Sequence, residues 1–126
     1  IYMINRIRSS NLISRIGDGR SLVRDVRLSD IVLLDSLKNC ECAIGIIYDT
    51  RYDSVPFISC IGRGHIAKRI YKIGNMRNTN MKEDPGLVTR IIESAGCVVG
   101  CPIPTSLYKP VAKVLASVYA KEIKKL

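Results

Sequence analysis

The stretch DIVLLDSLKNCECAIGIIYD, Asp30 to Asp49, decides the fold. Ile31-Val32-Leu33-Leu34 is a short, bounded apolar run, suited to a strand buried on both faces. Cys42 to Tyr48 is a second such run, rich in β-branched residues and followed by turn-like Asp49-Thr50-Arg51. Two strands so close leave Asp35 to Glu41 as the connecting loop. Pro56 to Ile61 reads as a third strand, with proline at its first residue, where a missing donor costs least.

Downstream the period changes. Gly64-His65 opens a helical pattern in which Ile66, Ile70 and Ile73 fall at spacings of four and three. That pattern leaves Lys68, Arg69 and Lys72 outward. Asn78 to Lys82 is a weaker, polar candidate for a fourth strand. Asp84-Pro85 is a helix start, with the aspartate as N-cap and proline at the first helical position. The helix runs to Ala95 and Gly96 stops it. Leu107, Val111, Val114, Leu115, Val118 and Ile123 form a last helical stripe, which begins near Lys109 or kinks at Pro110. The alternation after the third strand predicts an α/β layer fold.

Upstream, Ile1 to Arg15 reads as a weak amphipathic helix broken by Gly17-Asp18-Gly19, and Arg20 to Leu28 as a basic segment extended over the surface. Residues 1–28 are thus expected to be a basic linker with little core, and 29–126 the compact domain. The chain begins with Ile, not Met, and is expected to be a piece of something longer.

With 126 residues, 47% apolar and 25% charged, the composition is that of one globular domain. No apolar run reaches the roughly 20 residues that span a bilayer. The net charge of +9 sits at the ends, with +4 in Ile1 to Arg27 and +4 in Lys109 to Leu126. Such charge fits a nucleic-acid face, an anionic inner leaflet or a merely solvated surface. The aromatic platform of a single-strand binder is missing, as is any recognition-helix signature, so no nucleic acid is expected. A basic nucleic-acid-binding module stays as the alternative.

Five cysteines, Cys40, Cys42, Cys60, Cys97 and Cys101, give poor zinc spacing and are expected to be reduced thiols, with no metal and no cofactor. His65, the only histidine, is expected to be a surface or capping residue. Asp49, Asp53, Glu83 and Asp84 form no carboxylate dyad by spacing.

Four segments in order carry a resemblance: DVRLSDIV (Asp25 to Val32), GRGHIAKRI (Gly62 to Ile70), EDPGLVTR (Glu83 to Arg90) and CPIPTSLYKPVAKVLASVY (Cys101 to Tyr119). They resemble the FlhB/YscU family of flagellar and type III secretion export-apparatus switch proteins. The resemblance implies an α/β fold with a small, mostly four-stranded sheet flanked by helices, and a cytoplasmic domain at the bacterial inner membrane, joined through a basic linker to a membrane domain absent here. It implies export-apparatus proteins and secreted substrates as partners, and a role in substrate-specificity switching.

That family's hallmark is Asn-Pro-Thr-His between the first two strands, where the asparagine amide attacks its own carbonyl carbon and breaks the chain before proline. Aligned back from the second strand, the motif falls on Lys38-Asn39-Cys40-Glu41; aligned forward from Asp30, it falls on Asp35-Ser36-Leu37-Lys38. Neither contains Asn-Pro. The degenerate loop Lys38, Asn39, Cys40, Glu41 is therefore expected to stay intact, with no catalytic residue and no enzymatic activity.

Overall fold

The computed structural model describes residues 21–49, 55–94 and 98–124. The expected helix over Ile1 to Arg15 lies outside them. Three strands follow the apolar runs: β1 (Ile31–Leu34), β2 (Cys42–Ile47) and β3 (Phe57–Arg63). They pair antiparallel as a meander, and β4 (Met81–Glu83) joins parallel to β1, giving the order β3-β2-β1-β4. The third strand starts one residue later than the sequence suggests, since Pro56 stands just outside it.

Among the described residues four helices cover the sheet: α1 (Leu22–Leu28), α2 (His65–Arg77), α3 (Pro85–Glu93) and α4 (Tyr108–Lys124). Helix α3 starts as its sequence predicts, with the Asp84 carboxylate accepting from the Leu87 amide at 3.1 Å. It ends at Ser94; the expected stop at Ala95-Gly96 lies outside the described residues. A 3-10 turn at Thr105–Leu107 leads into α4, so Pro110 falls in the first turn, where its missing N–H has no intrahelical partner to lose. No helix among the described residues is long and apolar enough to cross a membrane.

Side-chain alternation along the strands builds two cores. Ile31, Leu33, Ile44 and Ile46 face α3 and α4, meeting Leu87, Ile91, Val111 and Leu115. Val32, Leu34 and Ala43 face the other way, meeting Val26 of α1 and Ala67 and Ile70 of α2. Two expectations change here. Leu22–Leu28 is helical rather than extended over the surface: Ser21 caps it by accepting from the Arg24 amide at 3.1 Å, and Val26 is fully buried, so the core begins before Ser29. In α2 the inward stripe is Ala67, Ile70 and Gly74, whereas Ile66 is 41% exposed. Small residues let this helix lie close on the sheet, a preference that a count of isoleucines misses.

A bulge resets the alternation in β3. Gly45 pairs with Cys60 and Ile46 with Ile58, so Ser59 is an extra residue. Ile58 and Ile61 can then serve the same core although three residues apart. The Ser59 hydroxyl is fully buried and hydrogen-bonded to that of Ser29, which also donates to the Asp25 carbonyl at 2.8 Å. Gly45 makes room for this nest: a Cβ there would lie 2.5 Å from both Cys60 Sγ and Ser59 Oγ, and 2.6 Å from Ser29 Oγ.

Gly45→Ala is therefore expected to destabilise the domain by about 1–3 kcal/mol, because three buried polar atoms must move together; urea denaturation reads this directly. Burial pushes the Cys60 thiol up to about 11 from its ordinary 9.0. The sign follows: the folded state disfavours the thiolate, so stability holds below pH 9 and is lost as pH rises towards about 11. Cys60→Ala is expected to flatten that loss in pH-dependent melting.

Candidate functional site: the β1–β2 loop

The loop from Asp35 to Glu41 lies between the two central strands, so its ends are fixed by β1 and β2 pairing. An aspartate directly after a strand tends to bond its own backbone a few residues on. Asp35 does so: its Oδ1 accepts from the Glu41 amide at 3.0 Å and the Cys42 amide at 3.1 Å, while its own amide donates to the Cys42 carbonyl at 3.1 Å. Ser36 Oγ then accepts from the Lys38 and Asn39 amides at 3.2 and 3.1 Å. The loop is thus two nested side-chain turns.

Three neighbours fasten it. Lys68 of α2 donates from Nζ to the Cys40 carbonyl at 3.1 Å and to Glu41 Oε1 at 2.9 Å. This corrects the expectation that Lys68 points only to solvent. The Gly64 amide donates to the Glu41 carbonyl at 2.9 Å, from a backbone at φ +60° that favours glycine. At the far side the Leu37 amide donates to Glu83 Oε1 at 2.8 Å. The Lys68–Glu41 pair is half exposed on both sides and is worth at most about 1 kcal/mol. Two backbone amides on the Asp35 carboxylate are charge-assisted bonds of roughly 1.5–3 kcal/mol each, so Asp35 is the main fastening.

The four residues aligned with the cleavage motif do not act together. Lys38, Asn39 and Glu41 are exposed, whereas Cys40 is 5% exposed and packs into the core beneath α2. Its thiol lies 3.6 Å from both the Cys42 and Ala67 carbonyl oxygens. Burial, and next the nearby Asp35 carboxylate, push that thiol's pKa upward. Cys42 packs against the opposite core, so the Cys40–Cys42 pair diverges from any common centre. Cys97 and Asp53 lie outside the described residues. His65 is exposed at the start of α2, next to the glycine that holds Glu41. Glu83 and Asp84 are employed separately, one on the loop and one as the α3 cap.

Among the described residues no hydrogen bond aims the Asn39 carboxamide at a carbonyl carbon. The Ser36 turn, which bonds amides two and three residues on, was open to a reading of the sequence; the Asp35 clasp on amides six and seven residues on, and the bridging roles of Lys68 and Glu83 across 27 and 46 residues, were not.

The fold and loop can be set beside known proteins. A family model described as the FlhB HrpN YscU SpaS family matches residues 13–118. FlhB of Yersinia enterocolitica is 30% identical over 100 residues, 79% of this chain but 25% of that protein. The chain thus spans a quarter of the length of this relative. Uncharacterized protein YlqH of Bacillus subtilis is 30% identical over 77 residues, which cover 61% of this chain and 80% of YlqH. Among solved structures, the cytoplasmic domain of FlhB from Shewanella putrefaciens superposes with a TM-score of 0.69 at 24% identity, over 79% of this chain and 76% of that one. A mutated EscU C-terminal domain gives 0.70 at 20% identity, over 78% and 99%. Both share the fold. With the family model matched across most of its length, the chain belongs to the FlhB/HrpN/YscU/SpaS family.

Proposed function

We propose that this chain is the cytoplasmic domain of a type III protein export component, flagellar or virulence-associated, which docks export proteins and substrates without cutting itself. Family membership over residues 13–118 supports the export role. One observation carries the non-cleaving half. The sheet-and-helix body keeps the family fold, yet the loop between its central strands has no Asn-Pro and is fastened by Asp35, Ser36, Lys68 and Glu83.

The physical reasoning concerns proximity. Intramolecular attack by an asparagine amide on its own carbonyl needs a strained turn that holds the two groups at reacting distance. Here Asn39 is exposed, its amide rests on Ser36 Oγ, and the next carbonyl, that of Cys40, is held by Lys68. Hydrogen bonds that relax a loop remove the ground-state strain that such a reaction would use. Substrate switching, if it operates in this protein, then proceeds by binding rather than by chain scission. The part upstream of α1 serves in this reading as a basic connection to a membrane-embedded region on the inner membrane's cytoplasmic face.

Intact-mass spectrometry after prolonged incubation at neutral pH is expected to give one species, the uncut chain. A fragment ending at Asn39 would refute the non-cleaving reading. Deleting the gene is expected to abolish or reorder secretion of flagellar or type III substrates into the medium, measured by quantitative proteomics of the supernatant; unchanged secretion would refute the export role.

A further inference from the structure

Helices α1 and α2 form one layer over the sheet, and its outer surface mixes cations with apolar side chains. On α2, His65, Arg69, Lys72 and Met76 are spaced by four, three and four residues, a ridge opposite the buried Ala67, Ile70 and Gly74. No acid occurs in α2, and the single acid of α1, Asp25, is 3% exposed. Glu41, which borders the layer, is held by Lys68. Arg27, Arg69, Lys72 and Arg77 are exposed, and none of the four makes an ion pair among the described residues. Three of the five exposed large apolar residues described also lie here: Val23 at 38%, Ile66 at 41% and Met76 at 72%.

We propose that this two-helix layer seats the domain on an anionic lipid surface. The cations meet the headgroup phosphates, while Met76, with Ile66 and Val23 on the flanks, enters the boundary below them. An anionic lipid surface offers both partners at once, phosphates for the cations and an apolar boundary for the interspersed side chains. The opposite layer differs in position, since Lys109 and Lys113 stand on α4 behind the other core. The inference rests on this surface and not on the export role, so either can fail alone.

Co-sedimentation of the full chain with phosphatidylcholine–phosphatidylglycerol vesicles tests it. Binding at physiological salt is expected, with none to pure phosphatidylcholine and a fall as salt rises. Each cation near such a surface contributes about fivefold in partition. Arg69→Glu with Lys72→Glu is therefore expected to weaken binding by at least about 25-fold, with the fold checked by circular dichroism. Lys109→Glu with Lys113→Glu, on the far layer, is expected to retain most of it. Met76→Ser, at a site too exposed to unfold the domain, is expected to lower binding a few-fold. Absence of binding to the anionic vesicles overturns the proposal. Equal losses from the two charge-reversed pairs, which would mean attraction by net charge alone, also overturn it, as does unchanged binding of Met76→Ser.

Discussion

Strand β1 has no solvent face. All four of its residues are buried, Ile31 and Leu33 in one core and Val32 and Leu34 in the other, and it lies between β2 and β4 in the sheet. Because side chains alternate along a strand, a shift of pairing by one residue would exchange both sets at once. The two helical layers therefore depend on one register, and everything attached to the ends of β1 inherits it. The β1–β2 loop is such an attachment. Its form follows from where β1 stops and β2 starts, and its side chains decide only whether that form is relaxed or strained.

This dependence explains why the body of the fold was legible in the sequence and some of its fittings were not. A four-residue apolar run bounded by Asp30 and Asp35 has few structural options, and Asp84-Pro85 has almost one. Helix α1 was hidden because three of its seven residues are charged and Val26 is its one buried apolar residue, a core position only through contact with α2 and β3. In the inward stripe of α2, Ile70 is buried and Ile73 packs against the core as expected, but Ile66 was chosen over Ala67 and Gly74 because isoleucine is a stronger periodic signal than alanine or glycine. Close approach to the sheet selects the small residues, and nothing local to Ala67 or Gly74 reveals the distance to their neighbours. The extra residue at Ser59 is invisible for the same reason: a bulge is a property of two strands, not one.

The loop displays the contrast on a smaller scale. Its location and the absence of Asn-Pro were plain from the sequence. Ser36 is a residue whose side chain commonly bonds nearby backbone, so the inner turn also had a local signature. Lys68 and Glu83 come from other elements, and only the folded sheet brings them to the same loop. Cys40 makes the point most clearly. In sequence it is one of four consecutive polar-loop positions, but in the fold it is a plug in the core, more closely related to Ala67 than to Asn39. A loop anchored by a buried side chain at one end and by a carboxylate at the other has little freedom left to strain.

The larger core is closed by the last part of the chain. Ile103, Leu107, Val111, Val114, Leu115 and Val118 supply one wall; the Cys101 carbonyl accepts from the Ile58 amide of β3, and the Ile103 amide donates to the Pro56 carbonyl just before that strand. During synthesis these residues emerge after the rest of the domain, so the nascent domain shows one naked hydrophobic flank until they have left the ribosomal tunnel. The opposite flank, built from α1, the sheet and α2, is complete much earlier. Birth of this protein is thus lopsided. Premature termination before Ile103 would yield a half-clad sheet, the kind of species that chaperones hold and proteases remove.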